Sequence, residues 1–146
     1  MEQRTATNSR LDDVQRIAAF RAALRRFERT TELAAQAAGL TPRQYLLLLT
    51  IEGSPDGVGR ATIGELAERL RLAQSTITGL VDRAQASGLV DRLPGEHDGR
   101  VVWVVCTQAG RDRLEEAIAS LDADREALAD AAAALAPHLD APASPR

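Results

Sequence analysis

The side chains of this chain that can do chemistry are hydrogen-bonding groups rather than reactive ones. Gln74, Ser75, Thr76, Thr78 and Arg83 fall on the side of a predicted helix that its apolar residues leave free. They are gathered toward the helix N-terminus, where backbone N–H groups and the helix dipole favour phosphate. Small donors and acceptors of this kind can lie against base-pair edges in a major groove without bulk in the way. Asp82 is the only acid between Ala73 and Val90. Arg100, in a glycine-containing turn, is placed to reach a phosphate or a narrow minor groove. The same small polar residues also make an ordinary coat for a solvated helix, and periodicity alone leaves both readings open.

Other chemistries lack their parts. All 18 basic residues are arginine, so a Schiff-base lysine and a complete phosphate loop are both excluded. Gly57-Val58-Gly59 follows a helix and not a strand, which argues against nucleotide binding there. Cys106 is the single cysteine, which rules out an intramolecular disulfide and fits a reducing compartment. It is expected on a strand face with Val102 and Val104, as a buried, inert thiol rather than a redox switch. His97, His138 and Cys106 are spread over a turn, the tail and a strand, so no metal or cofactor is expected. Asp98 reads as a partner orienting an arginine in the turn, and Trp103, on the face opposite Cys106, as half-buried packing. With no nucleophile–base pair, an enzyme is not expected. No apolar run approaches the ~18 residues of a spanning helix, and Met1–Arg10 lacks a signal peptide's apolar core. A cytoplasmic protein without a membrane partner is the simplest reading.

The elements that must position these residues are helical for most of the chain. Ile17, Phe20, Leu24, Phe27, Ala34 and Ala38 recur in steps of three and four and predict an amphipathic helix over 9–38. Gly39 closes it. Thr41-Pro42-Arg43-Gln44 is a helix start with cap, N1 proline and capping-box glutamine, leading into the nearly buried run Tyr45–Leu49. Thr62-Ile63-Gly64-Glu65 is a second capping box. It opens a short helix with Ile63, Leu66, Ala67 and Leu70 on one face. After a break at Arg71–Ala73 another helix runs from about Gln74 to Ala86, burying Ile77, Leu80, Val81 and Ala84. Two apolar strands, Leu89–Leu93 and Val101–Cys106, bracket the turn Pro94–Arg100 as a β-hairpin. Thr107 caps a last helix, read as continuous through Leu114, Ile118, Leu121, Leu128 and Leu135 until Pro137 stops it. Helix, tight turn, helix and hairpin is the order of a winged helix-turn-helix. The fold class expected is mainly α with a small β-hairpin wing.

Three stretches in that order resemble the multiple antibiotic resistance regulator (MarR) family of bacterial winged-helix transcription factors. Gly39-Leu40-Thr41-Pro42-Arg43-Gln44-Tyr45 is similar to the start of the family's second helix. Glu65-Leu66-Ala67-Glu68, Ser75–Arg83 and Gly88-Leu89-Val90 are similar to its paired helices. Asp98-Gly99-Arg100 followed by Thr107-Gln108-Ala109-Gly110 is similar to its wing-to-helix signature. The resemblance implies a single domain over 1–146: a DNA-binding lobe at 41–106 and dimerisation helices at 9–38 and 107–136. It further implies a homodimer reading two half-sites of a pseudo-palindromic double-stranded DNA operator, most simply as a repressor. By that match Ser75, Thr76 and Thr78 fall at base and phosphate contacts and Arg100 at the wing; Gln74 and Arg83 rest on the groove-face argument. A small aromatic or phenolic effector that releases DNA is also implied. Phe20, Leu24, Tyr45 and Leu49 can line its cavity, though at their spacing they equally make plain core. Cys106 stands where the family usually has leucine, and the chain after Thr107 looks one helix short. The runner-up reading is a protein-interaction module that keeps the winged fold without reading DNA.

The net charge of -3 argues against a nucleic-acid partner only until it is located. Residues 1–59 and 60–113 each hold 8 arginines and 7 acids, whereas 114–146 holds 2 and 7. The acidity therefore belongs to the last helix and tail. Between Arg69 and Arg92 four arginines face two acids, a local excess of positive charge on the expected reading surface.

Overall fold

Threonine caps set the start of three helices. The computed structural model describes residues 2–136, with side chains from residue 9 onward. Its elements are α1 (Glu2–Ala37), α2 (Pro42–Glu52), β1 (Arg60–Ala61), α3 (Ile63–Leu70), α4 (Gln74–Ala86), β2 (Val90–Pro94), β3 (Val102–Cys106), α5 (Gln108–Ala119) and α6 (Asp122–Leu135). Thr41 and Thr62 each accept the N3 amide while Gln44 and Glu65 reach back to the cap amide, so both expected capping boxes form. Thr107 accepts the Gly110 amide at the start of α5.

The chain divides into two compact units, one of them Glu32–Ser120. Within it β1, β3 and β2 form a three-stranded antiparallel sheet in that order. Arg60 pairs with Val105, and Val90 pairs with Cys106 through to Pro94 with Val102. The hairpin strands begin one residue later than expected. Leu89 is still occupied by the end of α4, its amide bonding the Ala84 carbonyl beside left-handed Gly88. Strand β1 has no signature in the sequence, because two residues carry no period.

One face of this sheet closes a core with the four helices α2 to α5. Leu47, Leu48, Ile51, Leu66, Ile77, Val81, Val90 and Val104 are fully buried there. Each such side chain contributes about 1.5–3 kcal/mol relative to exposure. Gly110 is required by close approach: a Cβ there would collide with the Leu89 carbonyl oxygen. That carbonyl also accepts the Thr107 amide at 3.0 Å. The wing-to-helix signature is thus a packing joint between β3, α5 and the end of α4.

The other unit combines residues 2–31 with residues 121–136 among those described. The first helix extends further back than residue 9, since residues 2–8 contain neither proline nor glycine to stop it. The last helix is not continuous as expected but breaks into α5 and α6. Ser120 turns its hydroxyl back to the Ala117 carbonyl, and buried Leu121 leaves helical geometry at φ -104°. Asp122 and Asp124 then occupy the first turn of α6, where the dipole favours acids. The stretch 107–136 therefore holds two helices where one was expected. Arg26 pairs with Asp124 at 3.3 Å, tying α1 to α6.

Candidate nucleic-acid interface

Helix α4 buries Ile77, Leu80, Val81 and Ala84 and turns Gln74, Ser75, Thr78 and Arg83 outward, with Thr76 half-buried. Its N-terminus differs from those of α2, α3 and α5. Ala73 sits at the cap position in extended geometry but has no side chain to accept a hydrogen bond. The amides of the first turn consequently lie beside the exposed Ser75 hydroxyl without a side-chain acceptor. Thr78 donates its own hydroxyl to the Gln74 carbonyl at 2.9 Å, so toward a ligand it acts mainly as an acceptor. The Gln74 amide lies over Gly64 at the start of α3.

Asp82, the one acid on this surface, does not stand free. Arg92 of β2 donates to its carboxylate at 2.6 Å and also to the Gln85 side-chain carbonyl. This pair fastens the base of the wing to α4 and offsets the negative charge that Asp82 leaves on the exposed face. It also uses Arg92, so the local positive excess on this surface is carried by the arginines that remain unpaired. Sequence spacing gave no sign of the pair; opposite charges at 82 and 92 meet only because Gly88 turns the chain back.

At the wing tip His97, Asp98 and Arg100 are exposed. Asp98 does not orient the Arg100 guanidinium as expected. Its carboxylate accepts the Arg100 backbone N–H at 2.9 Å and shapes the turn, leaving the guanidinium outward. The Gly95 amide closes the hairpin onto the Val101 carbonyl at 2.7 Å. Trp103 is half-buried, with the Arg60 guanidinium stacked 4.2 Å from its ring centroid on the outer face of the sheet.

Cys106 lies in the core, 3% exposed, its sulfur facing the Leu48 carbonyl. Burial, with the nearby Glu52 carboxylate adding to it, pushes the thiol pKa far above its usual value, and Arg111 offsets only part of this. Such a thiol carries no thiolate near neutral pH and is unreactive. Among the described residues no three His, Cys, Asp or Glu side chains converge to hold a metal ion; His138 and Pro137 lie outside those residues. Tyr45 is buried in the core of the sheet-bearing unit and Leu49 is partly exposed on α2. Phe20 and Leu24 are half-buried in the other unit. No described helix is long and apolar enough to cross a membrane.

This geometry has counterparts among known proteins. Residues 38–101 match the sequence model of the MarR family. The chain is 32% identical to the transcriptional activatory protein BadR of Rhodopseudomonas palustris, over 57% of this chain and 47% of that protein. It spans about half the length of the curated relatives it matches. The fold superposes on a cysteine-to-serine mutant of MarR from E. coli complexed with operator DNA, with TM-score 0.65 and 24% identity over 82% of this chain and 86% of that one. It also superposes on the transcriptional regulator Tm0710 of Thermotoga maritima, with TM-score 0.58 and 30% identity over 76% of this chain and 78% of that one. By its matched lobe, its winged-helix fold and these relatives, the chain belongs to the MarR family.

Proposed function

We propose that this protein is a transcriptional regulator, a repressor, that binds a pseudo-palindromic double-stranded DNA operator as a homodimer and is not an enzyme. The observation that carries the reading is the outward face of α4, where small polar side chains surround a helix N-terminus without a side-chain cap. A helix lying in a major groove presents its N-terminal residues to base edges and its free amides to phosphate. Ser75, Thr76 and Thr78 would read bases, Gln74 and Arg83 would flank them, and Arg100 would reach the backbone or minor groove beside the wing. Leu11, Val14 and Ile17 of α1 are more than half exposed and suit contact with a second copy. Residues 9–38 and 107–136 would serve that dimer, and 41–106 the DNA.

Release by a small aromatic or phenolic effector would follow from a ligand that prefers a recognition-helix spacing unlike that of the operator. Of the residues expected to line its cavity, Tyr45 and Leu49 belong to the sheet-bearing unit and remain proposed for it, and a cytoplasmic location completes the reading. The alternative of an interaction module rests on the short chain after Thr107 and on the acidic balance; α6 answers the first, and the second is confined to residues 114–146.

A footprint of the purified protein on the DNA upstream of its own gene tests the proposal. Protection of two half-sites about one helical turn apart is expected. Absence of protection on that DNA, and of any enriched sequence in selection from random duplexes, would overturn it.

A further inference from the structure

The exposed face of α4 has two flanks, and they are built differently. Arg83 and Gln85 are two positions apart, hence about 200° around the helix, and so belong to opposite flanks. Gln85 is bonded to Arg92 and lies against the wing. Arg83 lies on the other side, where Thr41, Pro42, Arg43 and Gln44 from the start of α2 close a groove with it over the buried floor of Leu80. The groove holds about 470 Å³ and is open to solvent.

Its polar lining is unbalanced. Arg43 and Arg83 are both exposed, and among the described residues neither guanidinium has a hydrogen bond or ion pair. No acid lines the groove. At the mouth, Gln44 and Tyr45 donate their amides to Thr41 and Pro42 has none, which leaves the Arg43 amide as the one without an acceptor among the described residues. Two arginines facing one groove without a counter-ion repel each other and are both relieved by a single anion.

We propose that this groove seats a phosphate of the DNA backbone, with Arg43 and Arg83 as its two jaws. The proposal rests on the DNA reading given above and deepens it. A duplex that takes α4 in its major groove runs one strand's backbone along each flank of the helix. The wing with Arg100 serves one flank; the α2 groove serves the other. Arg43 then acts through backbone charge and geometry, fixing the depth and register of α4, and carries no sequence preference of its own. An aliphatic floor at Leu80 and Pro42 leaves room for the sugar edge beside the phosphate.

The experiment measures DNA affinity against salt for the full chain and for Arg43→Gln, Arg43→Lys and Arg83→Gln, on a duplex obtained by selection with the unaltered protein. Thermal unfolding checks that each variant folds. Arg43→Gln is expected to lower the slope of log K against log salt by about one unit while sequence preference in repeated selection stays unchanged. Arg43→Lys should restore most of the slope, since a point charge still neutralises the phosphate. Phosphate ethylation interference should show one position per half-site that inhibits the parent and no longer inhibits Arg43→Gln. An unchanged slope and interference pattern for a folded Arg43→Gln would overturn the groove assignment while leaving the DNA reading intact. A changed sequence preference would also overturn it, marking Arg43 as a base contact. Failure of the parent to select any duplex removes the DNA reading, and the groove proposal falls with it.

Discussion

Helices α3 and α4 are the two arms of one turn, yet they dispose of their own polar groups in opposite ways. In α3 the Thr62 hydroxyl accepts the Glu65 amide, the Glu65 carboxylate accepts the Thr62 amide at 2.7 Å, and Arg69 stands near that carboxylate at 3.8 Å. Every one of these bonds closes within the helix. In α4 the cap position is Ala73, the first turn has no acid, and the exposed polar side chains point outward. Apart from Thr78, whose hydroxyl bonds the Gln74 carbonyl, only its far end is tied, through Asp82 and Gln85 to Arg92 of the wing. A helix that completes its own hydrogen bonds is a support; one that leaves them open is stabilised by packing beneath it and presents the rest to a partner. The contrast sets the helix proposed to read DNA beside a neighbour that completes its own caps.

The largest effect expected from this contrast concerns what holds α4 down. If packing alone anchors it, Ile77→Ala, which empties a fully buried position, should cost about 2–5 kcal/mol in chemical denaturation. A cost below about 1 kcal/mol would mean that the polar bonds to the wing, not the core, carry α4.

Closing the open end of α4 should separate stability from binding. Ala73 already has cap geometry at φ -62°, ψ 146°, so Ala73→Asp adds the missing acceptor without moving the backbone. The fold should gain about 1 kcal/mol from the new cap. DNA affinity should fall at least about tenfold, because the new carboxylate takes the amides and repels phosphate. The reverse change in α3, Thr62→Ala, should lose about 1 kcal/mol of stability with no change in the affinity of the folded protein. Calorimetry and fluorescence-anisotropy titrations on the same samples decide it. If Ala73→Asp stabilises and binds as before, the N-terminus of α4 does not face DNA.

The asymmetry was only half legible in the sequence. Capping boxes are local, so Thr41-Pro42-Arg43-Gln44 and Thr62-Ile63-Gly64-Glu65 announced their helices and the structure forms both. The burial of Cys106 and the outward face of α4 followed from period two and period 3.6 in the same way. What could not be read were features made by chain reversal. Arg92 reaches Asp82 because β2 folds back along α4, and Arg60 reaches Trp103 because a two-residue strand pairs with β3. Arg43 meets the Arg83 groove only through the packing of α2 on α4. The break between α5 and α6 was missed for another reason. Ser120-Leu121-Asp122 keeps the apolar spacing of one helix, and the buried Leu121 that ends it looks the same as one that continues it.

The smallest expected effect lies at the joint between the two helices. Arg71 is the one described non-glycine residue with positive φ, at 53°, in the left-handed region. Its amide bonds Glu68 and the Leu72 amide bonds Ala67, so the geometry is imposed by the termination of α3. A side chain there carries roughly 1–2 kcal/mol of steric cost that glycine avoids, while glycine adds freedom to the unfolded chain. The two terms nearly offset, and Arg71→Gly should raise stability by less than about 1 kcal/mol in a thermal melt. A fall instead of a rise would show that the exposed Arg71 side chain contributes more to the joint than its backbone strain removes. The turn would then resemble α3 in closing on itself, and the boundary between support and reader would move forward to Leu72 and Ala73.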